Sequence, residues 1–128
     1  MAVIPYSQTD INYDIVQGLL NMQTVQDPVT AHAGGGQALA TALTGTFVNI
    51  ATVTTAGDSV QLPLAVAGQV MFIRNSSATA TGPQVFAANG STDTINGTAG
   101  STGVAHAPTT GKFYFCTKSA PAGTWYTT

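Results

Sequence analysis

Gln69-Val70-Met71-Phe72-Ile73-Arg74-Asn75 decides how this chain folds. Four apolar residues stand in succession, two of them β-branched and one aromatic. Ala67-Gly68 supplies a turn before the run, and a Ser/Thr/Ala/Gly stretch over 76–83 supplies a loop after it. A short apolar run bounded by turn residues reads as a strand covered on both faces, and so as a central one. Outward from it, the same pattern repeats. Residues 46–53 place Val48 and Ile50 on one side of a strand, Thr55-Ala56-Gly57-Asp58 turns, and 59–62 form a short strand stopped by Pro63. Downstream come 84–87, then Asp93-Thr94-Ile95 between the turn dipeptides Asn89-Gly90 and Asn96-Gly97, which accept positive φ. A weak strand around Val104, a strong one over 112–118 and a last one over 124–127 complete the series. Phe113-Tyr114-Phe115-Cys116 reads as a buried strand. About eight short strands separated by turns predict an all-β protein, a small β-sandwich or jelly-roll-like domain.

Composition agrees. The 128 residues include 21 Thr, 19 Ala, 14 Gly and 7 Ser, no Glu, and only 6% charged residues for a net charge of −2. Thr is β-branched and polar, suited to the wet face of a strand. Hydrophobic residues make up 44%, too many for a disordered chain. Three widely spaced bases, Arg74, Lys112 and Lys118, cannot neutralise a run of phosphates, so no nucleic-acid partner is expected. An anionic membrane is disfavoured for the same reason, and no apolar run approaches the ~18 residues of a membrane helix. No basic, then apolar, leader opens the chain. Large apolar side chains are few for a core of this size, so self-association is expected to add needed burial.

The first residues follow a different period. Ile11, Ile15, Leu19 and Met22 recur at helical spacing, and Val16 and Leu20 widen the stripe. Thr9 or Asp10 caps this helix, Asp14 suits its positive end, and Asp27-Pro28 ends it. A helix of about 13 residues is marginal alone in water, so it must dock, on its own domain or on a partner. The expected organisation is an arm with a short helix over 1–28, a Gly-rich hinge over 29–37 and a β domain over 38–128.

Sites for chemistry are scarce. His32 and His106 each stand between alanines, with no carboxylate or Cys at metal-ligand spacing. The triple glycine at 34–36 lacks the third glycine of a dinucleotide loop, since position 39 is Leu, and no Gly-Lys-Ser/Thr follows it. No Gly-x-Ser-x-Gly turn presents a nucleophile. The single Cys116 excludes an internal disulfide and reads as an inert, buried thiol, consistent with a reducing compartment of synthesis. Neither catalysis, a cofactor nor a metal is expected. Trp125 and Tyr126 read as closing the core or lining a contact between subunits.

From about Gly45 to the end, the chain resembles the capsid decoration (cement) and head-fibre proteins of tailed bacteriophages. The resemblance is carried by Thr55-Ala56-Gly57-Asp58-Ser59-Val60-Gln61-Leu62-Pro63, Ala67-Gly68-Gln69-Val70 and Asp93-Thr94-Ile95-Asn96-Gly97, and by Gly111-Lys112-Phe113-Tyr114-Phe115-Cys116 through Gly123-Thr124-Trp125. It implies a virion structural protein on the outer surface of the capsid, synthesised in the host cytoplasm. Its partners would be the major capsid protein and further copies of itself, a trimer being favoured. A tail or fibre protein that binds a host receptor is the alternative. Tyr6, Ile11, Ile15, Val16, Leu19, Leu20 and Met22 in the arm are the expected capsid contacts.

Overall fold

The computed structural model describes residues 24–78 and 82–128. These residues contain eleven strands and no helix: β1 (Val25–Thr30), β2 (Thr41–Ala42), β3 (Phe47–Thr52), β4 (Ser59–Gln61), β5 (Val70–Asn75), β6 (Gln84–Phe86), β7 (Thr94–Ile95), β8 (Thr98–Ala99), β9 (Val104–Ala105), β10 (Gly111–Lys118) and β11 (Thr124–Thr127). They form a seven-stranded sheet in the order β1-β3-β5-β10-β11-β7-β8 and a four-stranded sheet in the order β2-β4-β6-β9. The all-β expectation holds, and β5 does lie inside its sheet, between β3 and β10.

The first six strands alternate between the two sheets. Within each sheet they run parallel: β1 with β3 and β3 with β5 in one, β2 with β4 and β4 with β6 in the other. Parallel neighbours cannot be joined by a hairpin; they need a crossover. Here a strand of the opposite sheet provides it in place of a helix. The later strands pair mostly antiparallel. β10 lies between β5 and β11, and β7 and β8 form a hairpin whose turn holds Asn96 and Gly97 at positive φ. Both sheets contribute to one hydrophobic cluster, which includes Val48, Ile50, Met71, Ile73, Tyr114 and Trp125 from the larger sheet and Val60 and Val85 from the smaller.

Two expectations need correction. The hinge over 29–37 is integrated into the β structure. Val29 and Thr30 belong to β1, Val29 and Ala31 are buried, and the backbones of His32 and Ser59 exchange two hydrogen bonds of 2.9 Å. The three glycines all take positive φ, and a Cβ on Gly35 would come within 2.7 Å of the Gly57 carbonyl oxygen. They make a turn beside the 54–58 loop, and the lack of a side chain at Gly35 permits its contact with Gly57. Asp27-Pro28 lies inside a strand. The missing N–H of Pro28 is tolerated because β1 is an edge strand, with a register shift between Gln26 and Val29. The helix itself, and every residue of its stripe, lies outside the described residues.

The second correction concerns two-sided burial. In β5 only Met71, Ile73 and Asn75 are buried, and in β10 only Tyr114 and Cys116. The other face of each strand is not covered by any described residue.

Candidate functional site

That open face belongs to the seven-stranded sheet. Side chains in a strand alternate between faces, so burial of Val48, Met71, Tyr114 and Trp125 turns Phe47, Phe72, Phe113, Phe115 and Tyr126 outward. Register then aligns them. Val25, Phe47, Phe72 and Phe113 stand opposite one another on four adjacent strands, β1, β3, β5 and β10. One pleat away, Val70, Phe115 and Tyr126 form a second row on β5, β10 and β11. The rings of Phe72 and Phe113 lie 5.0 Å apart and tilted, and those of Phe115 and Tyr126 lie 5.9 Å apart and stacked. Both spacings fall in the favourable range for aromatic pairs. Gly111 makes room for this arrangement: a Cβ there would lie 2.5 Å from the tip of the Phe72 ring.

The exposure is substantial. Phe113 is 50% exposed, Phe47 and Tyr126 42%, and Phe115 38%, flanked by Val25 and Val70. With about 150–250 Å² per aromatic side chain, the open apolar surface is on the order of 400–500 Å². This is within the range of the largest apolar patch on a typical monomer, about 300–600 Å², a kind of patch that is often functional. Charge is confined to one margin. Arg74 is exposed there, and Asp27 accepts a 2.8 Å hydrogen bond from Asn49 Nδ2.

Asp58, Asp93, His106 and Cys116 have structural work elsewhere. Asp58 is fully buried. Its Oδ2 accepts from the N–H groups of Thr54 (2.7 Å) and Thr55 (3.0 Å), and its Oδ1 from the Thr55 hydroxyl (2.8 Å) and the Gly34 N–H (3.3 Å). Burial raises its pKa, but the hydrogen bonds from Thr55, Thr54 and Gly34 outweigh burial and hold it below the ordinary Asp value. Asp93, also buried, accepts from the N–H groups of Ala65 (3.1 Å) and Gly123 (2.8 Å), tying together the loops before β5 and β11. His106 is buried against Tyr114. Its Nε2 lies 3.3 Å from the Thr110 carbonyl, which can only accept, so Nε2 carries the proton and Nδ1 accepts from the Tyr114 hydroxyl at 3.0 Å. Burial lowers the imidazole pKa; the Thr110 carbonyl opposes this and the Lys112 charge adds to it. The Cys116 thiol is buried and donates to the Lys118 carbonyl at 3.1 Å. Among the described residues, no three His, Cys, Asp or Glu side chains converge as a metal site.

Tyr6, Ile11, Ile15, Val16, Leu19, Leu20 and Met22 lie outside the described residues. The aromatic face is a site that sequence reasoning missed, although it does offer Tyr126 for a contact between subunits. Its signal is the i, i+2 spacing of Val70 with Phe72 and of Phe113 with Phe115, masked because the intervening positions are apolar too. No family model, curated protein or solved structure matches the chain.

Proposed function

We propose that this protein is a non-catalytic structural component of a phage particle, a decoration protein that binds and stabilises the assembled head as a homo-oligomer, with a trimer favoured. The observation that carries the reading is the aromatic face of the seven-stranded sheet, a broad apolar surface with charge only at its margin. Such a surface suits lasting contact between proteins better than capture of a charged small molecule. The two sheets around one core fit a sandwich, the compact β form the resemblance implies. The arm at the N-terminus takes part in the contact with the major capsid protein. A protein whose site spans neighbouring shell subunits binds only the assembled lattice and stabilises it by mass action.

Co-sedimentation with heads of the phage that encodes the chain tests this reading. Binding to assembled heads, with no binding to dissociated capsid subunits, is the expected result. Equal binding to free subunits, or none to heads, would overturn it. Hundreds of copies per particle fit decoration; tens or fewer would move the protein to the tail.

A further inference from the structure

We propose that Asn89 deamidates spontaneously in the folded protein, passing through a cyclic imide to aspartate and isoaspartate, while Asn96, which stands in the same Asn-Gly dipeptide, is protected by its hydrogen bonds.

The reaction joins an asparagine side chain to the backbone nitrogen of the next residue. That nitrogen loses its proton to solvent base and attacks Cγ. The N–Cγ bond forms, the Cγ–Nδ2 bond breaks, and the side-chain nitrogen takes a proton from water and leaves as ammonia. Water then adds to one of the two imide carbonyls and the ring opens. Cleavage at Cγ returns an ordinary Asp-Gly link. Cleavage at the backbone carbonyl leaves isoaspartate, with the chain routed through the former side chain. Nothing is oxidised or reduced. A following glycine favours closure because it has no Cβ to shield its nitrogen, and closure requires that the two reacting atoms can be brought together.

Four asparagines lie among the described residues. Asn49 precedes the β-branched Ile50 within β3, and Asn75 precedes Ser76 and is fully buried. Asn89 and Asn96 each precede glycine and are exposed. The fold treats these two differently. Asn96 is held at φ 52° in the β7–β8 hairpin, between the paired residues Ile95 and Thr98. Its N–H donates to the Trp125 carbonyl (2.9 Å), and its Oδ1 accepts from the Thr127 N–H (3.0 Å). To close a ring, Cγ must leave β11 and strip Thr127 of that acceptor.

Asn89 lies in the unpaired connection between β6 and β7. Its N–H donates to Gln61 Oε1 (2.8 Å), and the Ala88 carbonyl accepts from the Ser91 N–H (3.1 Å). These bonds hold the ends of the turn. Among the described residues nothing bonds to the Asn89 side chain or to the Gly90 N–H, the groups that react. A Cβ on Gly90 would meet nothing within 4 Å, so solvent base and water have free access. The product adds one negative charge to a chain of net charge −2. This chemistry does not depend on the decoration reading.

The test ages the full chain at pH 8.5 and reads each Asn-Gly peptide by mass spectrometry, for the mass gained when oxygen replaces NH and for isoaspartate by enzymatic methylation. Asn89 should convert at least tenfold faster than Asn96 in the native protein, and the two rates should come within about threefold of each other in urea, where only the shared dipeptide remains. Equal native rates, faster conversion at Asn96, conversion at neither residue, or the native difference persisting in urea would each overturn the proposal. Asn89→Gln, whose longer side chain closes such a ring far more slowly, should remove the acidic species that native protein accumulates on anion exchange. An acidic species that persists in this variant would assign the conversion to another residue and refute the assignment.

Discussion

Replacing Asp58 with Asn tests the correction that residues 29–37 are part of the fold rather than a hinge. The carboxylate holds the 54–58 turn through Thr54 and Thr55 and reaches the first of the three glycines through the Gly34 N–H. An Asn side chain is nearly the same shape but has one acceptor oxygen. With that oxygen in the place of Oδ2, the bonds from Thr54 and Thr55 survive without their charge assistance. The new amide nitrogen then faces the Gly34 N–H, donor against donor, while the Thr55 hydroxyl can rotate to accept. An orphaned donor costs about 1–3 kcal/mol, toward the low end here because Gly34 is exposed. Two hydrogen bonds weakened from charged to neutral add about 1 kcal/mol. The expected loss is about 2–3 kcal/mol, or roughly 8–15 °C in Tm for a chain of this size.

The sign of the pH dependence sharpens this test. Because the folded Asp58 pKa is lowered, its stabilisation is fully present above the unfolded value of about 3.9 and is lost as pH falls through the folded value. Thermal melts followed by near-ultraviolet circular dichroism at pH 7 and pH 3 should show a gap between the native protein and Asp58→Asn that narrows on acidification. A gap under about 3 °C at pH 7, or one of equal size at both pH values, would refute the reasoning and return the glycine segment to a loosely attached hinge.

For His106, the lowered pKa means that its contribution is complete above the ordinary value of about 6.5 and falls as pH drops below it. The native Tm should therefore decline from pH 7.5 to pH 5, and His106→Gln should flatten that decline; an identical slope in the variant would refute it. Tyr114→Phe removes the hydroxyl that His106 Nδ1 accepts from and should cost about 1–3 kcal/mol by urea unfolding. Ile73→Ala, in the middle of β5 and fully buried, should cost about 2–5 kcal/mol in the same assay. Head binding, if it rests on apolar contact, should change less than tenfold between about 0.05 and 1 M NaCl, a range that shortens the screening length to about 3 Å. A larger loss in sedimentation would mean that charge drives attachment.

The sequence alone established the class of fold and most of its punctuation. Alternation placed Val48 and Ile50 on one side of a strand, and both are buried. Asn96-Gly97 demanded positive φ and turns the β7–β8 hairpin. The dearth of charge followed from composition directly. These features are local: they depend on a residue's own side chain and on the period of its neighbours. Which strands meet, and which side of each faces inward, depends on contacts between segments distant in the chain. Val25-Gln26-Asp27-Pro28-Val29-Thr30 has a proline and little alternation, and it becomes a strand because β3 offers a parallel partner. In Val70-Met71-Phe72-Ile73 and Phe113-Tyr114-Phe115-Cys116 both faces are apolar, so periodicity cannot choose between them. The choice falls to Trp125, Val48 and the smaller sheet, which bury Met71 and Tyr114 and leave the phenylalanines in line across neighbouring strands. An aromatic row across four strands exists only through register between segments distant in sequence, and register is fixed by pairing and by burial of the opposite face.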